Sequence, residues 1–340
     1  MTFVTIGIKA LNEEAHIASA ITSSLAAINE LGAKCRGEVV LADSGSTDRT
    51  LEIARSFPGV RIVQLADLRQ RCCGAGAQLA FQAASGTYFY LLDGDMVLER
   101  GFLAQGIAFL EAHPGYAGVA GRVQEGNTTG IEFELRQANA ERKRAHDNSD
   151  HFHDTDRLDC GGLYRVAAIN SLGYFADRNL HSYEEFELGA RLIANGWRLV
   201  RNDVLAVTHY GHTIGGLRLM WRRLHTGYAG GIGEVVRGAL GERHFATVMR
   251  HFSHIRYAAI VVAWWLALAA CLAFGKLAVL GLLIAAPVII LSLRRGGLRR
   301  GLYSTASWNL LAIGLLTGVI RRRTDPRVPL AMIDITGHPQ

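Results

Sequence analysis

The sequence predicts an α/β fold, a mainly parallel sheet covered by helices on both faces, followed by C-terminal helices of membrane character. Three observations carry this reading. Apolar, partly β-branched runs alternate with helical periodicities over residues 2–92, the turns closing two of these runs are acidic, and residues 257–293 are almost uninterrupted hydrocarbon. Alternating elements imply parallel strands joined by helical crossovers, and an apolar stretch of that length implies a change of solvent.

The elements follow in order. Thr2–Ile8 reads as a strand, Glu13–Asn29 as a helix, and Glu38–Ala42 as a strand entering the turn Asp43-Ser44-Gly45-Ser46. A helix near Thr47–Ser56, a strand at Val60–Gln64, a helix near Gly74–Ala84 and a strand at Tyr88–Leu92 lead to the turn Asp93-Gly94-Asp95. Ligands of such sheets lie beyond the carboxyl ends of the strands, so the two acidic turns can converge on one ligand. From Arg100 to Asn202 the pattern is helix-rich with shorter strands, and the polar stretch Gln137–Asp156 suits a mobile or acceptor-facing loop. Within it, His146, His151 and His153 are spaced too irregularly for a metal site and read as solvated.

The C-terminal part is read by its solvent. Residues 214–256 mix Met220, Trp221, Leu224 and Tyr228 with many arginines and histidines, as amphipathic helices in a bilayer interface do. Tyr257–Phe274 and Leu277–Leu293 are each near the minimum spanning length and joined by Gly275-Lys276, which makes a transmembrane hairpin. A third segment, 302–320, carries Ser304, Thr305, Ser307 and Asn309; it is compatible with a span or with an interfacial helix, and a span is preferred. Arginines flank the hairpin on both outer sides while its tip carries only Lys276, which puts both ends in the cytoplasm. The expected partition is an α/β domain over 1–213, interface helices over 214–256, spanning segments over 257–323, and a cytoplasmic or disordered tail over 324–340.

Composition narrows the function. The formal charge is +6, but the basic residues concentrate at Arg218–Arg256, Arg294–Arg300 and Arg321–Arg327, beside apolar runs, which favours anionic lipid over nucleic acid. No zinc-finger spacing or RNA-binding motif is present, so no nucleic-acid partner is expected. Five cysteines without CxxC spacing read as reduced, and Met1 leads straight into the first strand with no secretory signal. The expected location is the cytoplasmic (inner) membrane, with the N-terminal domain in the cytoplasm.

Two carboxylates on a tight turn at a strand end, Asp93 and Asp95, are hard oxygen ligands suited to Mg²⁺ or Mn²⁺ bridging to phosphates. Asp43, at the end of a strand beside the first crossover turns, is well placed to hydrogen-bond a base or ribose. The bland readings are a helix-capping turn for Ser46, Thr47 and Asp48, and a solvated helix start for Glu187.

In combination, Ile6-Gly7-Ile8-Lys9-Ala10-Leu11-Asn12-Glu13-Glu14, Asp43–Asp48, Gly86–Asp95 and Ser182-Tyr183-Glu184-Glu185-Phe186-Glu187-Leu188 occur in the order seen in family 2 glycosyltransferases. The resemblance covers Thr2 to about Gly211. It implies the Rossmann-like GT-A fold, a nucleotide-sugar donor, Mg²⁺ or Mn²⁺, and a lipid-linked or membrane-associated acceptor. It further implies that Asn12, Glu13, Asp43, Arg71 and Asp93 hold the donor, and that Asp93 and Asp95 bind the metal with His209 as third ligand. Gly161, Gly162, Arg165 and Glu184 would line the acceptor side, and Glu185 would be the catalytic base.

Three departures from the family pattern stand out. Lys9 replaces the usual proline, Glu185 the usual aspartate, and Gly76-Ala77-Gln78 the usual Ala-Arg-Asn. The expected function is inverting, metal-dependent transfer of a sugar, UDP-linked in most relatives, in polysaccharide or cell-envelope assembly. The alternatives are a catalytically silent nucleotide-binding scaffold and a processive synthase. The synthase reading is weakened by the absence of a Gln-x-x-Arg-Trp motif, and a transporter is excluded by the lack of intramembrane charges.

Overall fold

The computed structural model describes residues 2–32, 35–127, 152–159, 161–211 and 214–337. These fall into two compact units, the first built from the residues up to 127, from 152 to 211 and from Arg323 onward, the second from 214 to Arg322.

The first unit is a twisted sheet between two layers of helices. Its strands are β1 (Thr2–Ala10), β2 (Cys35–Asp43), β3 (Val60–Leu65), β4 (Tyr88–Asp93), β5 (Met96–Leu98), β6 (Tyr116–Glu125), β7 (Phe152–Asp154), β8 (Gly162–Arg165), β9 (Arg198–His209) and β10 (Met332–Asp334). They are ordered β10-β3-β2-β1-β4-β8-β6-β9-β5, with β7 also on β9. The helices are α1 (Ile17–Asn29), α2 (Thr50–Arg55), α3 (Cys73–Gln82), α4 (Phe102–Ala112), α5 (Val166–Asn170) and α6 (Glu184–Ala194).

The unbroken apolar run of β4 follows from burial on both faces. Tyr90 and Leu92 pack with Ile17, Ile21 and Phe102 on one side, whereas Phe89 and Leu91 pack with Ala75, Leu79, Ala168 and Leu188 on the other. The expected parallel character holds over β3, β2, β1 and β4. Beyond them β8 runs antiparallel between β4 and β6, so the far half of the sheet is mixed. No simple periodicity in the sequence marks a four-residue strand such as β8.

The C-terminal segment corrects an expectation. In place of a disordered tail, β10 pairs antiparallel with β3, and Leu330 is buried in the same core as α3. Arg323 reaches the buried carboxylate of Asp177 at 3.0 Å, and the Arg178 guanidinium donates to the Val328 carbonyl at 2.7 Å. The edge of β3 is thereby covered rather than left open for pairing with another chain.

The second unit contains α7 (Gly216–His225), α8 (Gly231–Ala239), α9 (Phe245–His251), α10 (Ser253–Ala273), α11 (Leu277–Arg295) and α12 (Leu298–Val319). The last three are long and apolar enough to cross a membrane, judged by length and composition among the described residues. Trp264 Nε1 donates to the Leu283 carbonyl at 2.9 Å and Trp265 Nε1 to Asn309 Oδ1 at 2.8 Å, joining α10 to both of the others.

α7 exposes Leu217, Trp221 and Leu224 beside Arg218 and Arg222, the amphipathic pattern expected of it. α8 departs from that expectation. Its Ile232, Glu234 and Val235 are fully buried, and Arg321 reaches the Glu234 carboxylate at 2.6 Å. It packs on α12 through small residues, since a side chain at its Gly233 would collide with the Leu315 carbonyl, and one at Gly314 would collide with the Ala229 carbonyl just before α8.

Candidate active site

The site grows from the carboxyl ends of β1 and β4, which lie side by side with Lys9 opposite Asp93. Gly94 N donates to the Lys9 carbonyl at 3.0 Å and fixes the turn of the Asp-Gly-Asp motif. Gly94 is required there because a Cβ would come within 2.9 Å of the Glu13 side chain, which lies over the turn. Asp95 accepts through its carbonyl from Tyr210 N at 2.9 Å, and β5 then pairs with the end of β9, placing Met96 opposite His209.

His209 stands between two carboxylates. Its Nε2 is 3.4 Å from Asp95 Oδ2 and its Nδ1 is 2.8 Å from Glu125 Oε2. Burial works against protonation, but the hydrogen bonds and charges of Asp95 and Glu125 outweigh it, and the imidazole pKa is pushed up to about 10. Metal binding has to displace the imidazole proton.

The second half of the site is the N-terminus of α6. Lys9 Nζ lies 2.7 Å from Glu184 Oε1 and 3.2 Å from Asp93 Oδ1, tying the Asp-Gly-Asp turn to the start of this helix. Burial alone would lower the lysine pKa, yet Asp93, Glu184 and Glu185 together raise it well above its ordinary value, so Lys9 stays charged. Glu185 is pushed up to about 8, first by burial and then, against the pull of Lys9, by the charges of Glu184 and Asp93. Burial likewise raises Asp93. The environment thus holds a carboxyl near the operating range of a general base.

Asn12, Glu13 and Asp43 lie at this end of the sheet but do different work. Asn12 sits in the left-handed region at φ 58°, and its Oδ1 accepts from Thr47 N at 2.8 Å, linking the two crossover loops. Asp43 is fully buried and turned inward, accepting from Gly45 N at 2.8 Å and Gln64 Nε2 at 2.9 Å. It shapes the loop instead of presenting a carboxylate to a ligand. Arg71 is exposed ahead of α3.

Three expectations are corrected. Arg165 is not on the acceptor side, because it pairs in register with Tyr88, five residues or about 16 Å before Asp93 along β4, and its guanidinium braces the Leu110 carbonyl and Tyr88. Glu184 faces Lys9 and not an open acceptor cleft. Glu187 is no solvated helix start, since it is buried against Arg191 at 2.7 Å. Gly161, at φ 82°, and Gly162 lie at the start of β8, where a Cβ on the first would come within 2.7 Å of the Tyr90 hydroxyl. Cys160, His146 and His151 lie outside the described residues.

The donor set fits a divalent cation in part. Among the described residues no three His, Cys, Asp or Glu side chains gather as a ready ligand cluster. Asp95 and His209 face each other at a separation one ion can bridge, while Asp93 is held by Lys9. Two protein ligands, with the remaining positions left for phosphate oxygens and water, suit Mg²⁺ or Mn²⁺.

Residues 5–173 match the family model described as Glycosyl transferase family 2. This chain belongs to that family. The glycosyltransferase resembles the solved structure of a mannosyltransferase from Pyrobaculum calidifontis in complex with GDP-Man and Mn²⁺, at 19% identity and a TM-score of 0.60, over 92% of this chain and 86% of that one. A structure of residues 1–349 of S. aureus TarS in complex with UDP-GlcNAc matches at 19% identity and a TM-score of 0.47, over 75% and 76% of the two chains. Against a longer TarS structure, at 20% identity and a TM-score of 0.47, 62% of this chain matches and spans 37% of that one. No curated protein sequence matches the glycosyltransferase. The shared fold is GT-A, in agreement with the mixed sheet and the acidic turns at its carboxyl edge.

Two residues of the site escape motif reasoning. Lys9 was visible only as a departure from proline, with nothing to say that it reaches α6. Glu125 ends β6 opposite His209 and belongs to no motif; the signal that finds it is the strand register itself.

Proposed function

We propose that the protein transfers a sugar from a nucleotide-linked donor, UDP-linked as the first choice, to a lipid-linked or membrane-associated glycan in polysaccharide or cell-envelope assembly. The reaction would take place at the cytoplasmic face of the inner membrane. The observation that carries the reading is the meeting of Asp95 and His209 with Asp93, Lys9 and the α6 carboxylates at one edge of the sheet. The fold shared with a mannosyltransferase captured with GDP-Man and Mn²⁺ adds support.

In this mechanism Asp95 and His209 would hold the divalent cation. When bound, Mg²⁺ or Mn²⁺ supplies positive charge for the departing diphosphate. Asn12, Glu13 and the loop shaped by Asp43 bound the nucleotide pocket. Glu185 takes the proton from the acceptor hydroxyl as it attacks the anomeric carbon, which lowers the barrier by a factor of about 10²–10⁴. One base and one displacement give inversion. Gly161 and Gly162 keep the neighbouring strand close without side chains of their own.

The test incubates the full chain in native membranes with radiolabelled UDP- and GDP-sugars and follows label into the lipid extract. Incorporation from one donor class, abolished by chelation and by Asp95→Ala, is the expected result. Label that stays in the nucleotide pool for every donor would favour the silent scaffold.

A further inference from the structure

The path of the chain decides how the three apolar helices use the bilayer. α10 starts directly after α7, α8 and α9, and no helix long and apolar enough to cross precedes it among the described residues, so Ser253 begins on the side of the first unit. At the other end, α12 stops at Val319, and Arg323 already belongs to the first unit, where it holds Asp177 ahead of β10. The intervening residues 320–322 span at most about 10 Å. A segment that leaves and re-enters the same folded unit crosses a bilayer an even number of times. Three crossings are therefore excluded.

The contacts of α12 identify the helix that does not cross. Tyr303, near its start, packs on Met220 of α7, and Gly314 and Gly318, near its end, lie against Ala229 and Gly230 before α8. Both partners come before the first crossing. The stretch from Leu298 to Ile313 that could enter hydrocarbon is about 24 Å long, short of the roughly 30 Å core. α12 is also the least apolar of the three and carries Ser304, Thr305, Ser307 and Asn309. α10 and α11 are joined by the short turn through Gly275 and Lys276 and bonded through Trp264, as a hairpin should be, and α12 leans on α10 through Trp308 against Tyr257 and Asn309 against Trp265.

We infer that only α10 and α11 cross the membrane, and that α12 lies in the interface on the catalytic side as a docking surface for anionic lipid headgroups. Its outward Leu302, Leu316 and Ile320, which are 50%, 50% and 82% exposed, enter the acyl boundary. Arg294, Arg295, Arg299 and Arg300 gather at its start and Arg322 follows its end, so the helix is bracketed by cations at headgroup depth. The inference stands on α10 and α11 being spans and is independent of the transferase chemistry.

The test labels single-cysteine additions to the full chain with a membrane-impermeant maleimide, in inside-out and right-side-out vesicles, against the parent chain as baseline. Glu52→Cys reports the first unit, Lys276→Cys the hairpin tip and Asp325→Cys the segment after α12. Glu52→Cys and Asp325→Cys should label from one side and Lys276→Cys from the other, each with a preference of about tenfold or more. Asp325→Cys labelling opposite to Glu52→Cys would overturn the inference. Lys276→Cys labelling on the same side as Glu52→Cys would instead overturn the crossing on which it rests. Where a cysteine disturbs folding, the same question is put to epitope tags at the two chain ends, whose accessibility from opposite sides would equally overturn it.

Discussion

Replacing Glu185 with glutamine should harm the reaction and help the fold, and the two effects separate by pH. Glu185 sits half-buried on the first turn of α6, and burial, Glu184 and Asp93 raise its pKa from 4.5 to about 8 against the pull of Lys9. At about 1.4 kcal/mol per tenfold change in proton affinity, that distance corresponds to about 5 kcal/mol if nothing relaxes. Solvent reorganisation around a partly exposed carboxyl leaves about 1–2 kcal/mol. The sign follows from proton binding. Between pH 4.5 and 8 the folded protein holds a proton that the unfolded chain has released, so stability falls as pH rises through this window. Glutamine has no charge to desolvate. Glu185→Gln should therefore match the wild type near pH 5 and melt about 2–8 °C higher above pH 8. Its transfer rate should fall by about 10²–10⁴. Thermal melts from pH 5 to 9, run beside transfer assays, check both. A variant within tenfold of wild-type activity, or a melting difference that does not change with pH, would refute the assignment of Glu185 as the raised base.

Three further outcomes follow from the contacts. Arg191→Met removes the cation beside the buried Glu187 carboxylate and should cost about 3–5 kcal/mol in denaturant unfolding, with much of the loss recovered in Glu187→Leu/Arg191→Met. Lys9→Met removes the cation shared by Asp93 and Glu184; Mn²⁺ titrated alone should bind about tenfold tighter while transfer falls, and Lys9→Arg should stay nearer the wild type. Deleting residues 323–340 uncovers the β3 edge and the core around Leu330, and light scattering should show a lower melting point with increased self-association.

What could be read in the sequence depended on how locally each feature was encoded. The β1–β4 crossovers were legible because each strand is an apolar run closed by turn residues, and the Asp-Gly-Asp turn was legible because both of its carboxylates lie within three residues. Features set by long-range register were not. The family resemblance put Arg165 on the acceptor side, but β8 runs antiparallel to β4 and carries it to the opposite end of the sheet. Asp43 looked available for a nucleotide, yet the amide of Gly45 and the side chain of Gln64 turn it inward. The Lys9–Glu184 pair spans 175 positions, and β10 joins β3 from the far end of the chain, so neither leaves a trace in any local window. α8 was read as an interface helix from the mixed composition of 214–256, which does not register that its Glu234 is buried beside Arg321, 87 positions away.

The most direct test of the central claim, a cation-assisted nucleotide site built on Asp95 and His209, is calorimetry of UDP and GDP binding to the detergent-purified full chain. It is run with and without Mn²⁺, for the wild type and Asp95→Ala. Binding of one nucleotide that needs Mn²⁺ in the wild type and disappears in Asp95→Ala is the predicted result; no binding of either nucleotide under any condition, or equal binding by the variant, would contradict it.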